Sequence, residues 1–251
     1  MILRLRRAAR LHRAATRGLT SLPLPPLAAS QSPRPRLTIC LDLDECLVHS
    51  QADAADVEWK EHDLHVGERD PFAAHAKASA RPPPDFELEL PYLDEPVRCF
   101  KRPQLDDFLF EAAKLCEVVL FTSAAETYAQ ECVDALDPER RIFSRDLPLL
   151  TRQHCTLMDD SLYVKDLSQL GRPLEKIVCV DDHVGSCMLQ PDNSIPVSPY
   201  LGDPSDSELS HVLSVLHRLK NADDVRPPLR GMYNLQGALL ERVRAMRAAQ
   251  G

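Results

Sequence analysis

Glycine is scarce in this chain, with 8 residues in 251 against 21 prolines, so its loops are stiff. Cysteine is present eight times, at 40, 46, 99, 116, 132, 155, 179 and 187, but no two form C-x-x-C. Cys40, Cys116 and Cys179 lie in or beside apolar runs and read as reduced, buried small hydrophobes, in keeping with a reducing compartment. No stretch suits a transmembrane anchor. The longest uncharged one, Gly18 to Pro33, contains four prolines and reads as a linker. The uncharged run that a secretory signal needs is missing before those prolines. No internal repeat is visible.

Acid is absent from residues 1–36, which hold eight arginines, while the remainder carries 22 Lys and Arg against 38 Asp and Glu. The net charge of −8 therefore hides a front end of +8 and a body of −16. A body this acidic argues against direct nucleic-acid binding. In the front end, Arg6, Arg10, Arg13 and Arg17 share a helical face, loosely opposed by Leu5, Ala8, Leu11, Ala15 and Leu22. This pattern predicts a transit peptide and a mitochondrial protein; a disordered basic tail or a nuclear signal is the alternative.

What is present begins at Leu37. The run Leu37-Thr38-Ile39-Cys40-Leu41 leads into Asp42-Leu43-Asp44 and reads as a buried central strand. Residues two apart on a strand share a side, so both carboxylates are expected at its carboxyl end, where open α/β sheets bind ligands. Two like charges there require a cation, a shared proton, or both. A calcium loop is excluded because position 47 is Leu and apolar residues follow.

Further strands are expected at Val97–Phe100, Glu117–Phe121 and Lys176–Val180. Helices are expected from Pro103 to Leu115, Ala124 to Leu136, Ser205 or Ser207 to Leu219, and Leu235 to Ala249, with a short one at Asp166–Leu170. Residues 51–95 hold twelve acids against four bases and read as an acidic, proline-containing insertion. Residues 140–164 read as a small antiparallel cap insertion. Strands alternating with helices predict an α/β fold with a central parallel sheet flanked by helices.

Three apolar strands thus end in polar residues: Asp42 and Asp44, Thr122 and Ser123, Asp181 and Asp182. Lys165 lies between the last two in sequence. Singly, each has a structural reading: a turn, a helix cap, a surface lysine. Jointly they are the parts for phosphoryl transfer through an aspartyl-phosphate, with a metal ion such as Mg²⁺ neutralising the clustered acids.

The order D-x-D, T/S, K, D-D resembles the haloacid-dehalogenase superfamily. The strings LDLDECLVHS, FKRPQLDDFL, VVLFTSAAETYA, YVKDLSQLGR, VCVDDHVGSCMLQPDNSIPVSPYLGDPSDSEL and LKNADDVRPPLR resemble its FCP/SCP family, small phosphatases of the RNA polymerase II carboxy-terminal domain. The resemblance implies a phosphatase domain over residues 37–230 with a HAD-like Rossmannoid sheet; the charge pattern and periodicity place a transit-like segment and linker at 1–36 before it and a C-terminal helix at 231–251 after it.

It also implies roles. Asp42 matches the nucleophile and metal ligand. Asp44 matches the general acid/base, its backbone carbonyl a second ligand. Thr122 and Lys165 match the groups that hold phosphate, Tyr128 and Arg152 positions that touch substrate. Asp181 and Asp182 match the remaining acidic pair, where relatives often have Asp-Asn; Asp182 is expected as the more direct metal ligand. Cys46 departs from the Thr or Val usual at its position and reads as a packing residue, and His49 as structural. The implied protein is a Mg²⁺-dependent phosphoprotein (Ser/Thr) phosphatase. The alternative is a noncatalytic module like the mitochondrial branch of the family, which serves as an import receptor and would partner the import machinery.

Overall fold

Five-residue apolar strands with both faces covered need partners on each side, and β1 (Leu37–Leu41), β5 (Cys116–Leu120) and β8 (Ile177–Asp181) provide them for one another. The computed structural model describes residues 37–52 and 83–248, except 92, 94, 148 and 159–161. In it the central sheet has the order β5–β1–β8–β9, all parallel, with β9 at Ser194–Pro196. Leu37 to Leu41 pair in register with Cys116 to Leu120, and Cys40 sits beside Cys179 of β8.

The period of two along each strand divides the core into two faces. Ile39, Leu41, Val118, Leu120, Val178 and Val180 pack on one side. They meet helices α1 (Leu105–Leu115), α2 (Glu126–Leu136) and α3 (Glu208–Leu219) through Phe108, Leu109, Tyr128, Val133, Val212 and Leu216. Cys40, Val119, Phe121, Ile177 and Cys179 point the other way, against Leu150, Leu167, Leu170 and Cys187. The expected α/β architecture, a parallel sheet flanked by helices with smaller antiparallel pieces, is what the chain forms. All eight cysteines are free thiols.

Several boundaries differ from expectation, each for a local reason. β1 stops at Leu41, so both aspartates lie beyond the strand: Asp42 still bonds to β8, and Asp44 opens the turn in which Glu45 adopts φ 57 and Leu47 N–H and Val48 N–H donate to Leu43 O. A strand not foreseen, β2 (Val48–Ala52), then pairs antiparallel with β4 (Val97–Lys101), and β3 (Phe86–Leu88) flanks β4 on its other edge. Most of the expected acidic insertion, residues 53–82, lies outside the described residues, as does the arginine face of residues 1–22.

Helix α1 begins at Leu105 rather than Pro103, because Gln104 is left-handed at φ 66. Helix α2 begins after Ala125, whose extended backbone keeps it out of the first turn. In the expected cap insertion the paired strands are the short β6 (Thr156–Met158) and β7 (Leu162–Val164). Ser207 precedes α3 without a side-chain cap; Asp206 accepts from Glu208 N–H instead. A helix absent from the expectation, α4 (Arg226–Tyr233), carries its prolines in the first turn, where their missing N–H groups have no partner to lose. Asn234, at φ 44, separates it from α5 (Leu235–Ala248).

Candidate active site

The carboxyl ends of β1, β5 and β8 converge, as parallel strands in one sheet must, and the polar residues after each strand arrive together. Asp42 continues the ladder, its N–H donating to Val180 O at 3.0 Å, while Phe121 N–H donates to Leu41 O at 2.8 Å. Thr122 N–H donates to Leu150 O, and the Thr122 hydroxyl accepts from Ala124 N–H at 3.1 Å. That leaves the Thr122 hydroxyl its own proton to donate.

Lys165 follows hairpin β6–β7 directly and is buried against the sheet. Its ammonium donates to Asp42 Oδ1 and to Asp181 Oδ2, both at 2.6 Å. Burial alone lowers an ammonium pKa, but the two carboxylates outweigh it and hold Lys165 charged, well above the usual lysine range. Asp181 is steadied further by His183 N–H at 2.8 Å. Asp182 is more exposed, and its carboxylate lies within 4.8 Å of those of Asp42 and Asp181. Asp44 stands apart, its Oδ1 accepting from the Tyr128 hydroxyl at 2.6 Å.

Charge in this cluster is out of balance. Burial pushes the Asp182 carboxyl up to about 8, with Asp42 and Asp181 adding to the effect. Burial pushes Asp181 up to about 6, opposed by Lys165 and reinforced by Asp42. Burial likewise lifts Asp44 to about 7, against the Tyr128 hydrogen bond and with Asp42 and Glu45 adding to the rise. One lysine does not neutralise these acids. Three hard oxygen donors within reach of one point suit a divalent cation.

The acids face a cleft of about 370 Å³. Asp42, Asp44, Glu45, Asp181 and Asp182 line it, with Ser123, Tyr163, His183 and Pro199 among its other walls. Lys165, only 1% exposed, lies behind it. Two residues expected at the substrate sit differently. Tyr128 is fully buried and engages Asp44 and Ser50 rather than the open cleft. Arg152 donates from Nε to Ser123 O at 2.8 Å and lies over the Tyr163 ring, 5.2 Å from its centroid, at the cleft's border. Cys46 is buried with its thiol directed at Val180 O, 3.8 Å away, and burial raises its pKa well above the ordinary thiol value, so it packs and does not ionise. Sequence reasoning did not find His183, Tyr163 or Pro199 as lining residues. No residue pattern announces them, since the loops that carry them meet only in the fold.

A family model, that of the NLI interacting factor-like phosphatases, matches residues 37–226. The chain therefore belongs to that family, the FCP/SCP branch of the haloacid-dehalogenase superfamily, and is a protein phosphatase. CTD nuclear envelope phosphatase 1 of Xenopus tropicalis is 36% identical over 213 residues, covering 83% of this chain and 78% of that protein. Nuclear envelope morphology protein 1 of Schizosaccharomyces pombe is 33% identical, covering 80% of this chain and 38% of that one. Mitochondrial import inner membrane translocase subunit TIM50 of Yarrowia lipolytica is 34% identical, covering 83% of this chain but 35% of its own length.

These likenesses correct the expected mitochondrial localisation. The relatives matched over most of their length are named for the nuclear envelope, and the translocase subunit is matched over about a third of its own. An arginine-rich, acid-free segment is a charge pattern that several targeting routes share, so it does not choose among them. Among the described residues no helix is long and apolar enough to cross a membrane.

Proposed function

We propose that the chain hydrolyses phosphoserine or phosphothreonine in protein substrates, with Mg²⁺ bound and Asp42 as the covalent nucleophile. The observation that carries this reading is Lys165 bridging Asp42 and Asp181 at 2.6 Å each, beside Asp182, at the open end of a parallel sheet. Asp42 attacks phosphorus, the bond from phosphorus to the leaving oxygen breaks, and the leaving oxygen takes a proton from Asp44. Water then attacks the aspartyl-phosphate, returning its proton to Asp44 and releasing inorganic phosphate. Thr122 and Lys165 hold the non-bridging phosphate oxygens, where negative charge accumulates. The clustered carboxylates fit Mg²⁺: Asp42, Asp182 and the Asp44 carbonyl would hold it with Asp181 in support, and it would supply charge neutralisation for the phosphate.

Substrate class follows from access. Between Thr122 and Lys165 the described strands amount to one short hairpin, which leaves the cleft open enough for a side chain on a flexible protein segment. The relatives' names support action at the nuclear envelope, which imaging of the full-length protein tests. The mechanism is tested with a phosphoserine peptide. Hydrolysis is expected to stop with chelator and resume with Mg²⁺, and acid quench is expected to trap phosphate on Asp42. Full activity in chelator, or label on another residue, rejects the reading.

A further inference from the structure

Asp44 is tied to the antiparallel sheet by a buried hydroxyl chain. Its Oδ1 accepts from Tyr128 at 2.6 Å, and the Tyr128 oxygen lies 2.6 Å from Ser50 Oγ. Ser50 Oγ in turn lies 3.3 Å from Cys99 Sγ, the residue opposite it across β2 and β4. Ser50 is 6% exposed, and Tyr128 and Cys99 are fully buried, so bulk water has little access to these groups.

Counting protons gives the chain a direction. In the state that takes a proton from the attacking water, the Asp44 carboxylate is ionised and only accepts, so Tyr128 donates its one proton to it. The Tyr128 oxygen is then an acceptor, and Ser50 supplies the donor. Tyr128 stands on α2 within the hydrophobic core, and Ser50 is fixed by strand pairing. Asp44 precedes a turn and is bridged to Val48 through its backbone only, while its side chain accepts from Tyr128. With Oδ1 held by Tyr128, Oδ2 is the oxygen left to exchange a proton with the cleft.

We propose that Tyr128 and Ser50 form a brace that positions Asp44, making Tyr128 a positioning residue and not a substrate contact. This rests on the acid/base role given to Asp44 above. It assigns the antiparallel sheet a purpose: strand β2 reaches behind the site and sets the carboxyl of the turn that precedes it.

The test uses Tyr128→Phe, which keeps the ring and removes the hydroxyl, and Ser50→Ala, which removes only the second link. With an aryl phosphate whose leaving group needs no proton, Tyr128→Phe is expected to form the covalent phosphoenzyme at the wild-type rate. Its hydrolysis is expected to slow about 10–100-fold, part of what acid–base assistance supplies, so that phosphoenzyme accumulates. Ser50→Ala should shift the balance the same way by less. Combined with Asp44→Asn, Tyr128→Phe should add nothing, because its effect passes through that carboxyl. A phosphoenzyme hydrolysed by Tyr128→Phe at the wild-type rate overturns the brace, as does full additivity in the double variant. Absence of any trapped phosphoenzyme in the wild-type protein sinks the covalent mechanism itself and the brace with it.

Discussion

Arg102 and Lys165, the two most deeply buried cations among the described residues, have different surroundings. Arg102 is 1% exposed and donates from Nε and Nη2 to both oxygens of Asp206, at 2.8 and 2.7 Å. It also reaches Ser198 O at 2.7 Å, Cys46 O at 3.0 Å and Glu45 O at 3.5 Å, with the Tyr200 ring 5.6 Å away. One guanidinium meets one carboxylate, and carbonyls take its other protons. Lys165 is equally buried but meets two carboxylates directly, with two more close by and a cleft beyond. Arg102 closes a knot between the turn after β1 and the loop before α3, whereas Lys165 leaves charge uncompensated toward solvent. A buried ion pair therefore does not mark a site; surplus charge facing an opening does.

The largest test of that contrast falls on the unbalanced region. Asp42→Asn removes the nucleophile and one of the repelling charges together. Turnover should fall below detection with no phosphoenzyme formed, while the thermal midpoint stays level or rises. Activity near wild type would remove Asp42 from the chemistry. Asp44→Asn keeps the nucleophile and the backbone carbonyl, so phosphate still transfers from a good leaving group, but turnover should drop by about 10²–10⁴-fold. Rapid-quench kinetics distinguish the two variants.

On the balanced side, Arg102→Ala takes the guanidinium from the Asp206 carboxylate, which keeps the Glu208 N–H, and from the carbonyls of Cys46 and Ser198. A loss of about 3–5 kcal/mol is expected, read as a lower denaturant midpoint. Unfolding indistinguishable from wild type would show that the knot is not structural.

The smallest effect concerns pH. Asp181, Asp44 and Asp182 are raised from 3.8 to about 6, 7 and 8, so between pH 4 and 8 the folded protein binds more protons than the unfolded chain. Their contribution to stability is therefore complete at low pH and declines as pH rises through that window. Mg²⁺ should raise the thermal midpoint of chelator-treated protein by several degrees at pH 8 and hardly at pH 5. Asp182→Asn should flatten the slope. A midpoint of the metal-free protein that climbs from pH 5 to 8, relative to Asp182→Asn, would contradict these shifts.

The same two cations show how far the sequence could be read. Lys165 was legible because its neighbours are: apolar strands ending in Asp42, Thr122 and Asp181 announce themselves by period and by the polar residue that stops them. Arg102 gave no comparable signal, since its partners at positions 45, 46, 198 and 206 are mostly backbone carbonyls, which every residue has. The geometry inferred for Asp42 and Asp44 was only half right for the same reason. A shared strand face was expected, but a left-handed Glu45 and the Arg102 knot set the turn instead. Ala124 to Leu136 read as a helix, yet nothing in that pattern says that Tyr128 ends against Asp44, 84 positions away.

Local apolar periodicity and strand-end chemistry determined the α/β class, three of the four strands of the central sheet and the acids at its edge, because those depend on neighbours within a few positions; the short edge strand β9 carries no such signal. Tertiary structure alone decided which acid Lys165 bridges, which carboxyl rises toward neutral pH and which hydroxyl stands behind Asp44. Those outcomes depend on burial and on distances of a few ångströms between segments far apart in the chain, and a sequence carries no record of distance.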